Sequence, residues 1–246
     1  WFVLHRKYGL RKSLCHTNSQ TRLTSAGDKE TNMILGGDYS HWNTPNFPAL
    51  VAAGHKFCWL KASEGTDFVD AKYVAHRLAA QAAGLAVGPY HYFRAAWNGA
   101  SQAQHFFDNA YNDTLPPAID VERTNNLGFT KAVFTERLAE CVWKTLALFG
   151  RRPVIYTGKY AWESLVGSAP SLAGQCSLWV ANYTTAASPA MPSDWATWQV
   201  WQYTSTPLDT NRMQDAYWNS LNDQPPAPVT ITITKSTADD LRRALA

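Results

Sequence analysis

The segment Asp120-Val121-Glu122 follows an apolar run, Leu115-Pro116-Pro117-Ala118-Ile119. A strand has a period of two, so Asp120 and Glu122 fall on one face. Two carboxylates turned inward repel each other, which raises one pKa and lowers the other. A general acid beside an ionised partner needs that split. By itself the pattern also describes an ordinary strand-to-loop junction at the surface. Two further acids, Asp38 and Asp209, are expected at the same rim and favour chemistry. Four acids, 11 Trp and 11 Tyr, without histidines at metal-ligand spacing, point to the glycosidic bond as the target. Magnesium held by the acids is the competing use of such a cluster, but no phosphate-cradling glycine loop accompanies it. No Gly-x-Ser-x-Gly elbow is present, which disfavours a serine-hydrolase triad.

The elements that must position these acids alternate along the chain. Strands are predicted at 34–39, 57–62, 86–92, 117–121, 153–157, 178–183 and 198–203, with an eighth near Leu208. Helices are predicted near 70–83, 100–112, 130–149 and 159–166. In the third of these, Val133, Phe134, Leu138, Cys141, Val142 and Leu146 share one face, Thr130 is positioned to cap and Gly150 to terminate. Strand–helix alternation implies parallel strands with crossover helices. After Tyr183 the prolines Pro189 and Pro192 break any helix, and the last strands are joined by loops. The fold class is therefore α/β: an irregular, abbreviated TIM-like barrel, shorter than the roughly 250 residues of a full eightfold one. In such a barrel the reacting groups stand at the C-terminal strand ends. Those ends carry Asp38, Glu64, Tyr90, His91, Asp120, Glu122, Tyr156, Trp201, Gln202 and Asp209.

Composition narrows the class further. With 46% hydrophobic and 17% charged residues in 246, the chain can bury a large core. No run reaches the roughly 18–20 apolar residues of a membrane span. Residues 1–33 hold six basic side chains against two acidic, leaving 16 basic against 17 acidic in the rest. The excess positive charge therefore belongs to the N-terminal arm, and nucleic-acid binding by the main domain lacks electrostatic support. Cys15, Cys58, Cys141 and Cys176 show neither metal nor redox spacing, and Cys58 and Cys141 read as buried thiols. No metal or cofactor is expected. Residues 1–33 read as a non-catalytic extension, with Met33 at the start of the domain. Residues 34–223 read as the barrel, and 224–246 as a Pro-rich linker with a short tail, in which 230–234 suits a strand and Thr237–Asp240 a capping box. No signal peptide is visible in the N-terminal stretch.

Seven ordered blocks carry a resemblance. They are Gly37-Asp38-Tyr39-Ser40-His41-Trp42, Lys61-Ala62-Ser63-Glu64-Gly65-Thr66-Asp67, Ala83–Tyr92, Leu115–Glu122, Pro153–Thr157, Leu178–Tyr183 and Trp201–Ser205. Together they resemble the family 25 glycoside hydrolases, the Ch-type muramidases that include many phage endolysins. The resemblance implies a barrel of five βα units closed by three further strands. It implies hydrolysis of the β-1,4 bond between N-acetylmuramic acid and N-acetylglucosamine in peptidoglycan. Glu122 matches the general acid/base, Asp120 the carboxylate beside the sugar acetamido group, and Asp38 and Asp209 the other two acids. Tyr90, Tyr156 and Gln202 match positions around the sugar groove. Glu64 and Trp201, at neighbouring strand ends, join them as candidate substrate contacts, and Trp42 and Trp97 are further rings able to stack on sugars.

The expected partner is bacterial peptidoglycan, met by a monomer without membrane insertion or nucleic acid. The enzyme is expected at the cell wall, secreted with its leader removed or released by phage-type lysis. Spacing leaves the stereochemistry open. Cα atoms at i and i+2 lie about 6.6–7 Å apart, compatible with retaining, inverting or substrate-assisted cleavage. A chitinase-like glycosidase and a non-catalytic wall-binding module are the alternatives.

Overall fold

The structure is a computed structural model and describes residues 33–222. In chain order the elements are β1 (Met33–Tyr39), α1 (Phe47–Ala52), β2 (His55–Glu64), β3 (Phe68–Val69), α2 (Tyr73–Ala82), β4 (Ala86–Tyr92), α3 (Gly99–Asn109), β5 (Ala118–Asp120) and α4 (Lys131–Phe149). They continue with β6 (Val154–Thr157), α5 (Lys159–Leu165), α6 (Pro170–Ala173), β7 (Ser177–Ala181), β8 (Val200–Thr204), β9 (Thr210–Gln214) and α7 (Asp215–Asn222). The sheet runs β1-β9-β8-β7-β6-β5-β4-β2 and closes through a parallel β1–β2 pairing. β9 pairs antiparallel with both of its neighbours, β8 and β1. β3 is a two-residue antiparallel addition to the end of β2. Five βα units followed by three loop-joined strands are thus observed, in a TIM-like α/β barrel.

Local sequence explains the elements. Thr130 caps α4 by accepting from Val133 N, and Gly150 ends it at φ 65°, a left-handed conformation that a side chain disfavours. Phe134, Leu138, Cys141 and Val142 of α4 are buried as the periodicity requires; Thr145 and Phe149 extend the stripe, while Val133 and Leu146 lie at its edge. They pack on Ile119, Val121 and Ile155, the outward residues of β5 and β6 and the step after β5. Cys58, Leu60 and Ala62 of β2 meet α2 and α3 in the same way. Cys58, Cys141 and Cys176 are free buried thiols, and burial pushes all three above their ordinary range.

The alternate residues face inward. Phe57, Trp59, Ala118, Val154, Tyr156, Trp179, Val200 and Met213 form one cluster. Trp59 and Trp179 stack at 4.8 Å between centroids. Each indole N–H is satisfied, on Pro116 O at 3.0 Å and Asn211 Oδ1 at 2.8 Å. Rings of this size bury about 150–250 Å², a gross gain of roughly 4–6 kcal/mol each at about 25 cal/mol/Å². Gly36 and Gly88 make room for them: a Cβ at Gly36 would lie 2.4 Å from the Phe57 ring, and one at Gly88 2.8 Å from Trp59 Nε1. This interior packing confines any chemistry to the rim.

Four short elements were not anticipated. α1 starts at an Asn46 cap with a proline in its first turn, but six residues show no helical period. β3, α6 and α7 lie in stretches too short or too late for the alternation to reveal. The expected strand at 230–234 and the capping box at 237–240 lie outside the described residues.

Candidate active site

β1, β5 and the start of β9 deliver the four acids to one place. β1 ends as Asp38-Tyr39, and Asp38 is buried. β5 ends at Asp120, also buried, and Glu122 follows on the same side, because Val121 turns outward into the helix layer. Asp209 immediately precedes β9. It was expected at the end of the last strand; instead it reaches the rim at a strand's beginning, because β9 runs antiparallel. Each acid registers its neighbours electrostatically: Asp38 feels Asp209 and Glu122, Asp120 feels Glu122 and Asp38, and Glu122 feels Asp209. The Glu122 and Asp120 carboxyls thus act on each other across the rim.

A polar network fixes Asp38. Its Oδ2 accepts from Gln202 Nε2 at 2.9 Å and from Asn211 Nδ2 at 2.7 Å. Gln202 Oε1 accepts from Tyr156 Oη at 2.8 Å and from Tyr183 Oη at 2.7 Å. Asn211 in turn accepts the Trp179 indole N–H. Asp38 is thereby held from β8 and β9 together. Asp120 differs: its Oδ1 is buried without a hydrogen-bond partner among the described residues.

Beside the acids runs a groove of about 810 Å³. Glu122, Lys61, Glu64 and Arg94 contribute its charged wall, and Trp42, Phe68 and Trp97 its aromatic one. Trp42 is 84% exposed, too open for a core ring and suited to stacking on a flat ligand. His41, a neighbour in the lining, donates through Nδ1 to the buried Asp70 carboxylate at 2.8 Å.

Burial first, then the Asp209 charge, raises the Asp38 carboxyl to about 7, against the pull of its two amide donors. Burial raises Asp209 to about 6. Asp120 is pushed well up by burial and then by Glu122, and Glu122 is raised chiefly by burial while Lys61 opposes the rise. A raised carboxyl stabilises the fold fully below its unfolded pKa of about 3.8 and ceases to do so as pH rises through its folded value. Asp38 therefore costs stability between about pH 4 and 7. The Asp38→Asn variant keeps an acceptor for Gln202 and Asn211 and removes the charge. Its melting temperature should exceed the wild type's at pH 8 and approach it near pH 4, a difference on the order of a few kcal/mol. Buried His91, lowered to about 3 by desolvation, contributes the opposite slope, but equally to both proteins. A gap independent of pH, by thermal denaturation, would contradict an ionised Asp38.

The other predicted residues divide. Tyr90 is half-buried and its hydroxyl is pushed up by burial and then by Asp120 and Asp38, so it stands among the acids. Tyr156 and Gln202 belong to the Asp38 network. Glu64 lines the groove but is bound to Lys61 and Arg94. Trp201 is misassigned as a substrate contact. It alternates with Gln202 on β8, so its ring turns outward, is buried beside Leu178, Val180 and Trp198, and donates to Asn182 O at 2.7 Å. Lys61, Tyr183 and Asn211 join the site without having been singled out. Asn211 lies two residues after Asp209, and that period was a usable signal.

With this geometry in place, likeness to known proteins is informative. Residues 37–211 match the glycosyl hydrolases family 25. Lysozyme M1 of Streptomyces globisporus is 32% identical over 191 residues, covering 73% of this chain; the match spans 65% of that protein, just under two thirds of its length. An N,O-diacetylmuramidase of Arthroderma benhamiae is 29% identical over 193 residues, covering 73% of this chain and 80% of its own. Among solved structures, a bacterial lysozyme from Streptomyces coelicolor superposes with a TM-score of 0.72 at 30% identity, covering 78% of this chain and 98% of that one. A family GH25 lysozyme from Aspergillus fumigatus gives a TM-score of 0.72 at 27% identity, covering 77% and 99%. The matched stretch begins one residue before Asp38 and ends at Asn211, so it encloses all four acids and their amide partners: the chain belongs to glycosyl hydrolase family 25.

Proposed function

We propose that this chain is a muramidase that hydrolyses the β-1,4 bond between N-acetylmuramic acid and N-acetylglucosamine in the bacterial cell wall. The observation that carries the reading is the raised Asp120–Glu122 carboxyl pair at the strand ends, with Glu122 lining a groove walled by aromatic rings. Glu122 lines the groove and is placed to reach a glycosidic oxygen; Asp120 lies buried. Both carboxyls are raised chiefly by burial and titrate as a pair. The buried Asp120 Oδ1 lacks a donor, and the acetamido N–H of a bound sugar supplies one. A hydrogen bond to the ionised form favours that form. Substrate binding therefore favours an ionised Asp120 and leaves the proton on Glu122, which delivers it to the leaving oxygen. Asp120, Asp38 and Asp209 then face the positive charge developing at the anomeric carbon. All these groups come from one chain, so a monomer suffices.

A buried Asp120 oxygen open to the acetamido N–H favours a retaining reaction, through the acetamido group or a covalent intermediate. The substrate assignment is tested by digesting purified peptidoglycan and chitin, reducing the products with borohydride and analysing the sugars. Muramitol from peptidoglycan is expected. Glucosaminitol alone, or turnover of chitin only, would replace the muramidase reading with a chitinase-like one. Binding to walls without release of reducing ends would indicate a non-catalytic module.

A further inference from the structure

We propose that Lys61 is a positioning residue that sets the charge state of the Asp120–Glu122 pair; this rests on the reading of that pair as the reacting one. Lys61 is 8% exposed, yet it shares the groove lining with Glu122. A lysine this buried needs a reason. Its ammonium donates to Glu64 Oε2 at 2.7 Å and stands 5.0 Å from the Tyr92 ring centre and 5.2 Å from that of Phe68. Glu64 is held from the other side by Arg94 at 2.5 Å. Arg94 is itself fixed, because its backbone N–H and C=O both bond the buried Gln102 amide of α3 at 2.8 Å. The ammonium thus sits in a rigid clamp.

An irregularity in β2 builds that clamp. The β2–β4 register shifts between Lys61 and Ser63. In a regular strand Lys61 and Glu64 would point to opposite faces. Here Ala62 packs in the outer cluster and Ser63 bonds outward-facing His91 at 2.9 Å, so two successive residues turn out. Lys61 and Glu64 are left on the same, inner side. Bulges are enriched where a side chain must be re-aimed near an active site.

The charged groups around Lys61 can be enumerated. Glu64 comes from its own strand, and Tyr92 and Arg94 from the end of β4. His91 of β4 feels the ammonium but is turned outward and kept neutral by burial. Asp120 and Glu122 come from the end of β5, and both feel Lys61 as an opposing charge. His41 and Asp67 complete the charged lining of the groove. Glu64 already neutralises one of the two cations it touches, which leaves one net positive charge facing the carboxyl pair. Without it, burial and mutual repulsion would act unopposed against ionisation of either carboxyl.

The test is a carboxyl-carbon NMR titration of the free, full chain, with Asp120 and Glu122 assigned from their amide variants. Lys61→Met should raise the midpoints of the pair by about one pH unit or more, and Lys61→Arg should leave them near the wild type. Where Lys61→Met does not fold, Lys61→Gln, which still reaches Glu64, gives the same readout. The pH profile of wall lysis should move in the same direction. Midpoints unchanged in the neutral variants would overturn the proposal, even if those variants lost activity. The titration needs no substrate, so it stands or falls apart from the muramidase assignment.

Discussion

Glu122→Gln should reduce the rate of peptidoglycan cleavage by about 10²–10⁴-fold, the usual contribution of a positioned general acid. Glutamine has nearly the same shape and still lines the groove, so substrate affinity should change little and the loss should fall on kcat. The amide cannot deliver the proton that the leaving oxygen needs. The fold should survive, and the melting temperature at pH 8 should not fall, because one of four mutually repelling acids has been removed. Turbidity clearance of purified walls, with circular dichroism as the fold control, measures both. Near-normal turnover would take the acid role from Glu122.

Asp120→Asn is expected to cost about 10²–10³-fold in kcat, the size of effect seen when one preorganised electrostatic partner of a transition state is removed. The physical reason differs from the first case. Asparagine retains an acceptor for the acetamido N–H, so binding persists, but it carries no negative charge to face the developing cation. It also ends the coupled titration with Glu122. The remaining activity should therefore show a simpler pH dependence, governed by Glu122 alone. Stability at pH 8 should not fall, because a carboxyl raised by burial and by Glu122 has been replaced by a neutral amide. A variant of wild-type activity would place the stabilising charge elsewhere, with Asp38 and Asp209 as the remaining sources.

The sequence made the acids legible and their scaffold only partly so. Asp120 and Glu122 were readable because period-two alternation is a rigid geometric rule, and it held two residues past the end of β5. The same rule, applied to Gln202, excludes Trp201 from the groove; the strand-end position of that tryptophan suggested otherwise. Asp209 was correctly placed at the rim, but the reversal of β9 that puts it there is a long-range property of barrel closure. The β2 bulge left no local trace, because Lys61-Ala62-Ser63-Glu64 reads as a plain strand end. Tyr183 was hidden for a related reason: its hydroxyl reaches Gln202 across nineteen positions, a contact that only folding creates. The ordered blocks shared with family 25 added an expectation that alternation could not, namely which acid to test first and on what bond.

The central claim is that Asp120 and Glu122 work as a pair on one anomeric carbon. Proton NMR of the first-formed reducing end, recorded on a soluble peptidoglycan oligosaccharide before mutarotation, tests it most directly. The account predicts the β-anomer, with the configuration of the cleaved bond retained. Initial appearance of the α-anomer would mean that water entered from the opposite face between separated carboxyls, and would contradict it.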